Sequence, residues 1–91
     1  MLTRAVTIVN ALGLHARAAA KFVHTAGMFA SRVRVARGGR EIDGKSIMGL
    51  LLLAAPQGGS ITLTVEGPDE AAALAALCDL IARGFDEVSC A

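Results

Sequence analysis

The spacing of apolar residues switches repeatedly between two and three-to-four along this chain. From Thr3 to Val9, Ala5, Ile8 and Val9 interleave with Thr3, Arg4 and Thr7, which predicts a strand. Asn10 to Gly13 is a turn-prone link. Between Ala16 and Ala26 the residues Ala19, Phe22, Val23 and Ala26 recur at helical steps, and Gly27 is a stop signal. Alternation returns from Ser31 to Ala36, with Val33 and Val35 on one face and Arg32 and Arg34 on the other. Gly38-Gly39 predicts a tight hairpin, and Arg40 to Ile42 its short return strand. Ser46 is a good N-cap for a two-turn helix over Ile47 to Leu53, ended by Pro56 and Gly58-Gly59. Ser60 to Val65 is the clearest strand, with Ile61, Leu63 and Val65 facing one way. Gly67-Pro68-Asp69-Glu70 opens the last helix, with proline near the first helical position and acids in the first turn. Leu74, Leu77, Cys78 and Ile81 form its core stripe, and Gly84 closes it.

The order is strand, helix, strand, strand, short helix, strand, helix. Alternating strands imply a sheet with one buried and one solvated face, so the helices cover one side of a mainly antiparallel sheet. The expectation is a single two-layer α+β domain over residues 1–91. No linker, repeat or low-complexity segment interrupts it. A net charge of +1 supplies no field for nucleic acid or an anionic membrane. Aromatics are 3% of the chain, too few for a base-stacking platform. Arg32, Arg34, Arg37 and Arg40 cluster on the predicted hairpin and read as a solvated strand face. No secretory signal is visible, and the apolar run Ile47 to Ala55 is far short of the roughly 20 residues that span a bilayer. Cys78 and Cys90 lack metal-ligand spacing and read as free thiols of a cytoplasmic protein. No metal or cofactor is expected, and His24 reads as a structural histidine.

Candidate chemistry concentrates at His15, where strand gives way to helix. A helix start offers unpaired N–H groups and partial positive charge, which attract anions. It also disfavours the protonated form of an imidazole, leaving a ring nitrogen free to attack phosphorus. The resulting phosphate carries roughly two negative charges. The N–H groups of Ala16 and Arg17 and the Arg17 guanidinium are placed to bind its oxygens. Alanines at 16, 18, 19 and 20 are expected to keep the surface low for a close-approaching phosphoryl donor. Phosphoryl transfer asks for little beyond such positioning and charge stabilisation. A different class of function, a small regulatory domain whose Gly13 turn approaches a metabolite, would not need this histidine.

The run Asn10-Ala-Leu-Gly13-Leu14-His15-Ala16-Arg17, with Gly44-Lys45-Ser46-Ile47-Met48-Gly49 further on, resembles the HPr family. These are the histidine-containing phosphocarriers of the bacterial phosphotransferase system, and the resemblance covers essentially the whole chain. It implies an open-faced β-sandwich of order βαββαβα, a four-stranded antiparallel sheet with three helices on one face. It further implies a monomeric carrier, not an enzyme with turnover of its own. His15 would accept a phosphoryl group from phosphorylated Enzyme I and pass it to a IIA-type domain, in sugar uptake or nitrogen-related regulation. The family usually has proline after the arginine, where Ala18 stands here. Alanine keeps the helix start but puts the stiffness of the turn in question.

Gly39 to Ser46 also fits G-x-x-x-x-G-K-S, the pattern of a nucleotide-binding P-loop. A short hairpin strand before it and a two-turn helix after it are the wrong context. Ser46 is instead a helix cap, and the resemblance implies regulatory phosphorylation there by an HPr kinase/phosphorylase. Ile47, Met48 and Leu50 to Leu53 cannot all face inward on two turns. Ile47, Met48 and Leu51 are the candidate docking residues for partners, Met48 because its flexible chain adapts to several surfaces.

Overall fold

The computed structural model describes residues 1–87. The chain runs β1 (Leu2–Thr7), α1 (Ala16–Ala26), β2 (Arg32–Arg37), β3 (Arg40–Asp43), α2 (Ile47–Leu53), β4 (Ser60–Glu66) and α3 (Glu70–Ala82), then a 3-10 turn, Gly84–Asp86. The strands form one sheet in the order β1-β4-β2-β3, and every pairing is antiparallel. This is the expected open-faced α+β sandwich.

Register explains the two layers. Val33 pairs with Val65, Val35 with Leu63 and with Ile42, and Val6 with Ile61. Directly opposed residues share a face, so these side chains make one apolar surface. Phe22 of α1, Leu50 of α2 and Leu77 and Ile81 of α3 close over it, all essentially without solvent exposure. The other face stays polar: Thr3 meets Thr64 across the β1–β4 pair, and Arg34 bonds Glu41 across the hairpin.

Several expectations change. β1 begins and ends earlier than its pattern implied, and Ala5 lies opposite Thr62 on the open face while Arg4 lies opposite Leu63. An edge strand can keep such an inward-side charge exposed at its rim, which also blunts edge-to-edge pairing. The four hairpin arginines are not one cluster. Arg32 and Arg34 lie on the open face, but Arg37 and Arg40 oppose each other on the helix side. There they donate to the carbonyls of Leu53 (3.0 Å) and Leu52 (3.2 Å), the orphan acceptors at the end of α2. Ala54 follows in the left-handed region at φ 49°.

α3 starts one residue after its N-cap Asp69, so Pro68 lies outside the helix. The Asp69 carboxylate does not cap α3. It accepts from the N–H groups of Ala30 and Ser31, each at 2.9 Å, and from the Ser31 hydroxyl. That ties the start of β2 to the start of α3 and holds the carboxyl below its ordinary range, the Ser31 hydroxyl bond being the largest cause. Ala73 and Leu80 join the predicted stripe on α3, and Cys78 is half-buried beside it. Cys90 lies outside the described residues.

Candidate functional site

The segment between β1 and α1 is zipped onto the loop between α2 and β4. Ile8 N–H donates to the Gly59 carbonyl at 2.8 Å, Gly58 N–H to the Ile8 carbonyl at 2.7 Å, and Leu14 N–H to the Ala55 carbonyl at 2.8 Å. The Leu14 bond needs Gly13. Its φ is +66°, and a Cβ there would stand 2.5 Å from the Ala55 carbonyl oxygen. Leu14 is buried under this contact, and His15 follows as the N-cap of α1 with extended backbone.

The first carbonyl–amide bond of α1 runs from Ala19 N–H to the His15 carbonyl at 2.8 Å. The N–H groups of Ala16, Arg17 and Ala18 are therefore unused by the helix ladder, a ready anion site beside the imidazole. Ala18 adds a donor that the sequence reading did not count. Its N–H has no ladder bond to lose, which is why either proline or alanine suits this position. Ala18 and Ala19 do not lower the surface as expected, because both are fully buried core residues; only Ala16 and Ala20 are exposed. The 3.6-residue period turns positions 18 and 19 inward along with Phe22.

Arg17 is exposed and makes no side-chain hydrogen bond among the described residues. It lines one cleft with His15, Leu12, Lys21, Phe85 and Glu87. Leu12, Lys21, Phe85 and Glu87 were not read from sequence as site residues; for the last two, the chain after Gly84 carries no periodic signal. Gly84 does not simply end α3: at φ +67° it opens the 3-10 turn that buries Phe85. Lys21 donates to the Phe85 carbonyl at 2.7 Å, fixing the turn to α1. Glu87 then reaches the imidazole, its Oε2 lying 3.2 Å from His15 Nε2. The buried Asn10 donates to the same oxygen at 2.7 Å and to the Gly13 carbonyl at 2.7 Å. The Asn10 bond is the main reason the Glu87 carboxyl lies below its ordinary range, with His15 adding to it.

Ser46 is the N-cap of α2, and its Oγ accepts from Gly49 N–H at 3.1 Å. The P-loop pattern has no P-loop geometry behind it. Residues 40–43 are a strand antiparallel to β2, and the Lys45 ammonium is tied to the Phe29 carbonyl at 2.8 Å. On α2, Ile47 and Met48 are exposed, Met48 at 71%. Leu51 is half-buried against the core, and its neighbour Leu52 is the outward residue of the pair. Among the described residues no group of three or more metal-ligating side chains occurs, and no helix is long and apolar enough to cross a membrane.

A family model described as the PTS HPr component phosphorylation site matches residues 2–83. The chain belongs to the HPr family. It is 54% identical over 87 residues to the phosphocarrier protein HPr of Cupriavidus necator, covering 96% of this chain and 98% of that one. It is 44% identical over 88 residues to the phosphocarrier protein NPr of Shewanella violacea, covering 97% of each. The crystal structure of HPr-C-His from Thermoanaerobacter tengcongensis superposes with a TM-score of 0.93 at 43% identity, covering 98% of this chain and all of that one. HPr proteins are phosphocarriers of the phosphotransferase system and not catalytic enzymes. Within the HPr fold, the loop bearing His15 and the start of α1 fall inside the matched region, while Glu87 lies beyond it.

Proposed function

We propose that this chain relays a phosphoryl group through His15, taking it from phosphorylated Enzyme I and delivering it to a IIA-type domain. The observation that carries this reading is the junction at His15. A half-exposed imidazole stands at the N-cap of α1, next to three N–H groups unused by the helix ladder and the Arg17 guanidinium, which has no side-chain hydrogen bond among the described residues. The transferred group arrives as a dianion, and the N–H groups of Ala16 and Arg17, the Arg17 side chain and the helix dipole all favour that charge. Each of these contacts also lowers the barrier for the charge-rich transfer state, so no further machinery is needed.

Partners approach over α2. Ile47, Met48 and Leu51, with the more exposed Leu52 and Leu12, supply an apolar contact surface, and the relay protein acts as a monomer in the cytoplasm. Phosphorylation of Ser46 by an HPr kinase/phosphorylase would put a dianion beside that surface. It would penalise apolar docking without touching His15.

The test uses phosphoenolpyruvate and Enzyme I, followed by intact mass and acid treatment. One phosphate is expected, lost in acid, and absent from His15→Ala. Undiminished uptake by His15→Ala would overturn the assignment, and an acid-stable phosphate would place the modification on serine. Offering the phosphorylated protein to sugar-specific and to nitrogen-related IIA domains identifies the branch it serves.

A further inference from the structure

We infer that Met48 is a site of reversible oxidation by peroxide, and that its sulfoxide weakens partner docking on α2. This rests on the reading of α2 as the docking surface. Methionine is ordinarily a core filler, its flexible thioether closing irregular gaps. None of the three methionines of this chain serves that purpose. Met1, Met28 and Met48 are all exposed, Met48 at 71%. The packed core therefore gains nothing from sulfur at position 48, and the side chain lies open to a small oxidant.

The surroundings of Met48 make the change consequential. α2 reads Ile47-Met48-Gly49-Leu50-Leu51-Leu52-Leu53 and carries no polar side chain. Ile47 and Leu52, which share its outer surface, are apolar and exposed. The Gly49 N–H next in the chain is taken by Ser46 Oγ at 3.1 Å, and the Lys45 ammonium by the Phe29 carbonyl at 2.8 Å. A sulfoxide oxygen is a strong acceptor, solvated while α2 is open to water. Once a partner covers the helix, that oxygen loses its water and meets no side-chain donor on α2. An acceptor buried without a partner is far costlier than the thioether it replaces. The fold pays no such penalty, because the sulfur is outside the core.

In the oxidation, a lone pair of Met48 Sδ attacks one oxygen of hydrogen peroxide. The S–O bond forms as the O–O bond breaks, and the electron pair of that bond leaves with the second oxygen as hydroxide. The proton on the sulfur-bound oxygen passes to the hydroxide, and water departs. Sulfur is oxidised by two electrons and the peroxide is reduced by two. Methionine sulfoxide reductases, one for each sulfoxide epimer, reverse the change. With a dithiol as reductant, the oxygen leaves as water and the dithiol as a disulfide. His15 takes no part, so the phosphoryl-accepting ring is intact in the oxidised protein.

The test treats the intact protein with hydrogen peroxide, locates sulfoxides by peptide mapping, and measures phosphoryl uptake from phosphorylated Enzyme I. Each variant is compared with its own untreated form. In the parent, KM for uptake should rise roughly 5- to 150-fold as Met48 is oxidised, the range set by one unsatisfied buried acceptor. The melting temperature should not move, and reductase with dithiol should restore the KM. Met48→Leu should become insensitive to peroxide, although Met28, at 65% exposure, and both cysteines are still present to react. Met28→Leu should stay as sensitive as the parent. Parallel loss of uptake in parent and Met48→Leu would overturn the inference, as would an unchanged KM with Met48 fully oxidised. Met48→Gln carries a permanent polar group in place of the sulfoxide and separates the two readings. If Met48→Gln weakens docking and the sulfoxide does not, only the oxidation site is lost. If neither weakens it, Met48 leaves the docking surface as well.

Discussion

Gly13→Ala tests how the fold holds His15, the proposed nucleophile. Two costs are built into that position. The first is conformational: φ is +66°, and an L-residue in the left-handed region costs about 1–2 kcal/mol. The second is steric, because the new Cβ would stand 2.5 Å from the Ala55 carbonyl oxygen and 3.0 Å from Pro56 Cα, both backbone atoms. The loops can part only by losing the Leu14–Ala55 bond, which leaves a buried donor unpaired at about 1–3 kcal/mol. The sum is about 2–5 kcal/mol, a large share of the roughly 5–14 kcal/mol expected for 91 residues. Gly58→Ala is the matched control. Its φ is +83°, but a Cβ there meets nothing within 4 Å, so only the conformational cost applies. Thermal melts should show Gly13→Ala falling about 8–40 °C and Gly58→Ala about 4–16 °C. Uptake of phosphate should slow in Gly13→Ala alone, because only that change moves the His15 loop. If both variants melt together, the close approach at Gly13 does not constrain the loop.

Other predictions address the helix ends and the surface. Ala54 caps α2 at φ 49°, so Ala54→Gly relieves strain and, after the added freedom of the unfolded chain, stabilises by about 0.5–1 kcal/mol; a melt that does not rise speaks against strain there. The Asp69 carboxyl lies below the ordinary aspartate range in the folded chain, so its contribution is present above that range and disappears as pH falls through the lowered value. Denaturation midpoints should therefore drop on acidification below about pH 4, and Asp69→Asn should flatten that drop while lowering stability at neutral pH. Met48 is 71% exposed, so Met48→Glu should weaken affinity for Enzyme I or a IIA domain and leave stability within about 0.5 kcal/mol of the parent's. Titration calorimetry giving unchanged affinity would remove Met48 from the docking surface.

The elements were legible wherever burial imposed a period. β4 is read from Ile61, Leu63 and Val65 because a half-buried strand must alternate, and α1 from Ala19, Phe22 and Ala26 because one helical stripe faces the core. Boundaries were less legible: β1 is an edge strand whose two faces are both largely exposed, so its composition carries little of the pattern. The paired faces of Arg37 and Arg40 depend on hairpin register, which shifts every side chain when it shifts by one residue.

His15 and Arg17 were visible locally, since a helix start and its first turn are properties of neighbouring residues. The same holds for Ser46 as a cap. Glu87, Lys21 and Asn10 became site residues only through long-range packing. His15 and Glu87 are 72 positions apart, and their meeting depends on α3 docking, on Gly84 turning the chain and on Phe85 entering the core. Short-range patterns record which way each segment of this protein curls and which face it hides. Which distant polar groups then lie within hydrogen-bond reach is set by the packed core, because only burial of the apolar faces brings the two ends of the chain to one place.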